Sequence, residues 1–401
     1  MINIKCKKIL LSFIISASLI LSGCLGSKEI NTLAISISIG IDKVDDEYFV
    51  TYQILNPKAI ASKKSANESP VFLYTERGKD LFEIIRRITT ISPRKIYNSH
   101  LRMVVLSEEI AKEGIEGLLD FFLRDHEFRT DFYFAVAKGA TANEVLKCLT
   151  SLESVSGMEM YNSIKASEKA WAPTKAVKIM ELTGKLVSDG VNPVLSAVEI
   201  VQEEDKSDSI DILKKSVTSK LKFFGLCAFK KDKFVGYLTE NDSKGFNYIT
   251  GNVKNTVGFV ELDEKNKITF EVIEAKSKTK AYILKGKPAV NVSIKLTVNI
   301  AAEVGKKYDV STEKNMEKLN SLIEEKIKKN CEHSIKNTQE NLQTDIFGFG
   351  EDIHRAYPKL WKKIKKDWNN EFVNLPVSVT VKSKINGLGE TTKSIFAKEG
   401  N

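Results

Sequence analysis

Histidine is scarce in this chain, with four in 401 residues, and those four lie too far apart in sequence to suggest a metal cluster. Cysteine is scarce too. The five cysteines form no CxxC pair and stand at long separations, which argues against a zinc site or a disulfide framework. Also missing are the lysine-bearing phosphate loop, the Rossmann glycine fingerprint, the GxSxG elbow and the HExxH pair. Nothing therefore signals nucleotide, hydride-transfer, acyl-transfer or zinc-hydrolase chemistry, and no cofactor is expected. The net charge is +9, yet the basic residues are scattered without a dense block, so no nucleic-acid arm is indicated and the surplus reads as a solvated lysine-rich surface. With 42% hydrophobic and 28% charged residues, the chain is neither a disordered tail nor a multispan membrane protein.

What is present begins at the N-terminus. Lys5, Lys7 and Lys8 precede an apolar run over 9–21, the charged and hydrophobic regions of a secretory signal, too short for a comfortable membrane span. The run ends in Leu21-Ser22-Gly23-Cys24, which resembles the bacterial lipobox. Small side chains at Ser22 and Gly23 let a peptidase seat the backbone, and only the thiol of Cys24 can carry a thioether-linked diacylglycerol. Residues 1–23 are thus expected to be cleaved, leaving Cys24 as a doubly acylated N-terminus on the outer face of a membrane. Of the other cysteines, Cys148 falls at helical spacing with Val145, Leu149 and Leu152 and reads as a small buried hydrophobe.

A chain of this length exceeds one core. Residues 33–41 alternate apolar and small side chains, and 48–55 answer them across Val44-Asp45-Asp46-Glu47, which predicts a strand pair with a polar turn. Residues 56–70 read as an exposed loop. Leu81, Ile84, Ile85 and Ile88 share a helix face; 101–106 is a short strand, and Ser107 caps a helix that buries Ile110, Leu118, Leu119 and Phe122. A strand over 132–137 and a helix over 142–152 follow. Residues 24–201 are accordingly expected to form an N-terminal α/β domain, and the polar stretch 202–216 a linker or long loop.

Beyond 217 come strand candidates at 221–229, 234–238, 257–262, 268–273, 278–284 and 290–300, with a hairpin turn at Lys230-Lys231-Asp232-Lys233. A helix from Thr312 carries Met316, Leu319, Leu322, Ile323 and Ile327 on one stripe, a second covers 353–368 with a break or start at Pro358, and 377–381 closes as a strand. Residues 217–401 therefore read as an α+β domain, with a second division near Ala301 as an option. The fold class is α+β: a multidomain chain of mixed or antiparallel sheets with packed helices.

Several segments, taken in order, resemble the Ger(x)C family, the lipoprotein C subunits of nutrient germinant receptors in spore formers. They are Gly40-Ile41-Asp42-Lys43, His100-Leu101, the run from Ser107 to Gly114, Phe122 to Arg129, Gly225 to Phe229, Asp345-Ile346-Phe347-Gly348-Phe349-Gly350, and the pair Trp361 and Trp368. The family commonly has Trp after the lipidated cysteine, where this chain has Leu25. The resemblance implies a germination receptor subunit on the outer surface of the spore's inner membrane, beside an A-type subunit and a polytopic, transporter-like B subunit. It supplies no catalytic residue and does not assign nutrient binding to this subunit.

Read on their own chemistry, Arg124, Asp125, Glu127 and Arg129 form either an ion-pair network with one another or a partner-binding patch. Phe347 and Phe349, each followed by a glycine, belong either to a tight interhelix connection or to a contact loop. Trp361 and Trp368 share a helix face as core anchors, and His100 is structural. Two other extracytoplasmic roles fit a lipoprotein: a solute-binding component of a transporter, against which the strand-rich second half argues, and a wall-lytic enzyme, whose paired carboxylates need no sequence motif.

Overall fold

The computed structural model describes residues 32–61, 69–148, 150, 153–202, 219–263, 266–304 and 312–387. Cys24 and most of the expected linker lie outside them. Strand β1 (Leu33–Val44) turns at Asp45 and Asp46, whose positive φ angles of 50° and 63° suit a tight two-residue hairpin, into β2 (Glu47–Leu55). A short helix α1 (Pro57–Ala61) occupies part of the expected loop, and an edge strand β3 (Val71–Gly78) completes this flank. Helix α2 (Leu81–Arg87), capped by Asp80, leads to β4 (Lys95–Tyr97) and β5 (Met103–Leu106).

The single helix expected after Ser107 is two, α3 (Glu108–Glu113) and α4 (Glu116–Arg124). Gly114 divides them with φ of 134°, a conformation outside the helical range that its missing side chain permits. Strand β6 (Tyr133–Ala137) precedes α5 (Ala142–Lys147), which a Thr141–Glu144 capping box starts and which ends at Cys148, short of the expected 152. Then come α6 (Ser156–Ala170), α7 (Ile179–Leu186) and β7 (Val194–Gln202).

Beyond the expected linker, β8 (Ser219–Lys230) pairs antiparallel with β7 and turns at Lys231 into β9 (Lys233–Tyr237). These strands extend the first sheet, so the nine-stranded sheet continues past the change in sequence texture, in the order β3-β2-β1-β5-β6-β7-β8-β9 with β4 parallel to the start of β1. Its centre is parallel and its flanks are antiparallel. One face packs Ile39, Val104, Phe134 and Leu195 under α2, α3, α4 and α7, and the other packs Met103 and Val105 under α5 and α6.

Helix α8 (Glu240–Ile249) leads to the second sheet, β10-β11-β12-β13. There β10 (Thr256–Glu261) pairs with β11 (Lys267–Leu284), one 18-residue strand where two were expected, and β12 (Lys287–Val304) follows at a Lys285-Gly286 turn. Helix α9 (Glu313–Asn337) lays Leu319, Ile323, Ile327, Cys331 and Ile335 into the core, each apolar side chain contributing about 1.5–3 kcal/mol on burial. Short helices α10 (Phe349–Ala356), α11 (Pro358–Ile364) and α12 (Trp368–Val373) are the last helices among the described residues, broken where Pro358 starts a new helix. Strand β13 (Val377–Gly387) closes the sheet, parallel to β12.

Candidate functional site

Helix α4 buries Leu118, Leu119, Phe121 and Phe122, and Phe122 meets Phe128, Phe132 and Phe134 at ring distances of 5.0, 5.4 and 5.9 Å. This aromatic packing pins the turn that follows. Asp125 ends the helix, faces inward and accepts a hydrogen bond from the Glu127 backbone N–H at 2.9 Å. The expected network among Arg124, Asp125, Glu127 and Arg129 does not form. Arg124 pairs instead with Asp120, one turn earlier, at 2.7 Å, Glu127 pairs with Lys95 of β4, and Arg129 is exposed. The inward turn of Asp125 separates the charges, because a buried carboxylate spends its lone pairs on backbone donors.

The Lys95–Glu127 pair also locates the segment. Lys95 stands opposite Leu33 in the β4–β1 ladder, so residues 124–129 lie at the end of the sheet where the chain arrives from Cys24.

Phe347 and Phe349 are core residues. Phe349 is fully buried, Phe347 is 9% exposed, and their rings stack at 5.0 Å with 21° between planes. The contact-loop alternative is corrected by this burial: neither ring is presented to a partner. The turn is organised by Asp345, whose carboxylate is fully buried and accepts from the backbone N–H groups of Phe347, Gly348 and Gly350 at 3.0, 2.9 and 2.8 Å and from the Trp368 indole at 3.1 Å. Gly348 takes φ of 86°, the left-handed region that favours glycine. Complete burial outweighs these donors and pushes the Asp345 carboxyl up to about 6.

The same residue ties the two sheets together. Its carbonyl accepts from the Asn192 N–H at 2.7 Å, just ahead of β7, while Asn192 Oδ1 accepts from the Lys231 N–H at 2.7 Å in the β8–β9 turn. Ser188 donates to Glu351 of α10 at 2.5 Å. The Phe-Gly-Phe-Gly run is therefore a junction built on a buried acid.

Two family models account for most of the chain: one described as Spore germination protein N-terminal domain matches residues 26–200, and one described as Spore germination B3/ GerAC like, C-terminal, matches residues 224–389. The chain belongs to the Ger(x)C family. Spore germination protein KC of Bacillus subtilis (strain 168) is 27% identical over 394 residues, covering 96% of each chain. Spore germination protein B3 of the same organism is 24% identical over 396 residues, covering 94% of this chain and 96% of its own. The crystal structure of the GerBC protein superposes with a TM-score of 0.56 at 20% identity, covering 86% of this chain and 96% of the other, which shows the shared fold.

For this Ger(x)C chain the structure assigns the remaining sequence candidates. Trp361 and Trp368 are buried, 5.3 Å apart, as core anchors, and His100 is exposed beside Tyr97. Cys148 is half-buried at the end of α5, and none of Cys148, Cys227 and Cys331 forms a disulfide; burial raises the Cys227 and Cys331 thiols out of the nucleophilic range. Among the described residues no group of His, Cys, Asp and Glu could hold a metal ion, and no helix is long and apolar enough to cross a membrane.

Several organising acids escaped sequence reasoning. Asp42 is buried and accepts from the N–H groups of Ala142 and Asn143 at 2.7 and 2.9 Å, serving the start of α5 from another strand. Asp242, also buried, meets His333 at 2.5 Å and Asn337 at 3.1 Å on α9. Each sits near the start of a helix, a signal visible only for Asp242, which follows Thr239 in an N-cap pattern.

Proposed function

We propose that this protein is a non-enzymatic lipoprotein subunit of a nutrient-sensing germinant receptor, held through acylated Cys24 on the outer face of the spore's inner membrane. In this reading it assembles with, or couples, an A-type subunit and a polytopic B-type subunit. The observation that carries it is the match of both halves, 26–200 and 224–389, to families of spore germination proteins. Support for a role without catalysis comes from the buried acids. Asp42, Asp242 and Asp345 are occupied by helix starts and packed donors, so their chemistry serves architecture. The expected division into 24–201 and 217–401 runs through one sheet, since β8 and β9 pair onto β7, so the two parts act as one body that the Asp345 junction braces further.

The deciding experiment deletes the chain and follows nutrient-triggered germination together with retention of the A-type and B-type subunits in the spore membrane. Loss of the nutrient response, with the partners destabilised or uncoupled, is the expected result. A deletion strain that germinates normally to every nutrient overturns the reading. Release of muropeptides from peptidoglycan by the purified chain would move it to the lytic class.

A further inference from the structure

Strand β1 starts at Leu33, nine residues after Cys24, and a spacer of that length reaches at most about 30 Å when fully extended. An anchor at Cys24 therefore keeps the β1 start near the headgroups while leaving the far end of the strand free to stand away. At this near end Ser36, Ile54 and Phe72 stand level across β1, β2 and β3, and α1 follows directly from β2. Phe72 is 48% exposed and Ile60 of α1 is 56% exposed. A cavity of about 670 Å³ opens at Ile60, lined by Ile35, Ile37, Ile60 and Met158 together with Arg102 and Glu153.

The uncompensated charges at this end are mostly positive, the exception being Glu153 of the cavity lining, which accepts a hydrogen bond from Asn162. Lys58, Arg94 and Arg129 are exposed and have no ion-pair partner among the described residues, whereas Glu127 and Asp131 are neutralised by Lys95 and Arg102. Isolated apolar side chains set among free cations do not make the continuous apolar patch of a protein interface. They match an anionic bilayer, which accepts apolar side chains at the acyl boundary and cations at the phosphates.

We infer that this end of the nine-stranded sheet is a lipid-facing surface, with Ile60 and Phe72 at the acyl boundary of an anionic bilayer and Lys58, Arg94 and Arg129 at its phosphates. The inference rests on the lipid-anchor reading of Cys24 and adds an orientation: β1 rises from the membrane, and the segment 124–129 is held at the depth of a membrane-embedded partner.

The test uses the mature, acylated chain in vesicles of phosphatidylglycerol and phosphatidylcholine carrying spin-labelled lipid. In a Cys148→Ser background a fluorophore is placed at Phe72→Cys or at Val44→Cys; Val44 is exposed and lies eight residues beyond Ser36 on β1, about 26 Å further along. Quenching at the first position and its absence at the second is expected, with the Phe72 signal weakened about five-fold by Lys58→Glu or Arg94→Glu. An acylated, vesicle-bound chain without quenching at Phe72, the result expected of a surface reserved for a protein partner, overturns the surface and leaves the anchor intact. A chain without acyl groups that still shows the Phe72 quenching does the reverse, and mass spectrometry of the N-terminus separates the two.

Discussion

Gly350 and Gly190 touch backbone to backbone: a Cβ on Gly350 would lie 2.7 Å from both the Cα and the carbonyl oxygen of Gly190, and a Cβ on Gly190 only 2.6 Å from the Glu351 nitrogen. The loop before β7 and the start of α10 can approach this closely only with glycine on both sides. Gly350→Ala should therefore destabilise the protein by about 1–3 kcal/mol through overpacking. As a control, Gly117→Ala, in α4 with no atom within 4 Å of the added Cβ, should stabilise by about 0.5–1 kcal/mol. Urea unfolding of both variants gives the comparison, and equal effects would remove the close-approach argument.

Asp345→Asn replaces a four-donor carboxylate by an amide with one acceptor oxygen, leaving buried N–H groups unmet. A loss of about 2–4 kcal/mol is expected. The pH dependence has a definite sign. The folded carboxyl is raised to about 6 from 3.8, so its contribution to stability is full below about pH 4 and declines as pH rises through 6. The gap between wild type and Asp345→Asn should narrow over that interval in unfolding curves taken from pH 4 to 7, and a widening gap would show the opposite shift.

Lys185 shares Glu181 with Lys175, and burial together with the second ammonium lowers its pKa to about 8 from 10.5. A lowered lysine contributes stability above the unfolded value and loses it as pH falls through the folded one, so at pH 7 the charged form opposes folding. Lys185→Met should raise stability by about 1 kcal/mol at pH 7, and the gain should shrink at pH 10. Destabilisation at both pH values would mean that the Glu181 contact outweighs the burial.

Cys148, Cys227 and Cys331 stand apart on α5, β8 and α9, so reduced and oxidised samples should migrate alike. Replacing all three by Ala or Ser should cost about 1–3 kcal/mol through packing and polarity. A large mobility shift on reduction would contradict the thiol assignment.

Reversing Arg124 and Arg129 to Glu changes two exposed charges and should lower the unfolding midpoint of the isolated protein only slightly, through loss of the exposed Arg124–Asp120 pair. Receptor retention and nutrient-triggered germination should fall. Should every germination-defective variant prove unfolded, the segment is structural only.

Local chemistry was enough for the elements whose neighbours in sequence are also their partners in space. Asp45-Asp46 defines the β1–β2 hairpin, Ser107 caps α3, the stripe through Leu319, Ile323 and Ile327 selects the buried face of α9, and Pro358 restarts a helix. The ordered motifs between Gly40 and Trp368 likewise carried the family. Other features depend on distant atoms. Helix α8 is buried from Asp242 to Ile249 despite its polar sequence, because Ala172 and Thr174 carbonyls accept from Asn247 and residues of α9 satisfy Asp242. No period in the sequence shows a polar side chain whose partner lies 70 or more residues away. The edge strand β3 draws its identity from pairing with β2, and β8 joins the first sheet because β7 offers an open edge. Phe347 and Phe349 read from sequence as either a tight interhelix connection or a contact loop, and only the convergence of Asp345, Trp368 and the Gly190 loop shows that they are core. Sequence determines which faces can be buried; tertiary structure decides which distant donor, acceptor or glycine makes the burial complete, because those contacts form only when the chain has closed on itself.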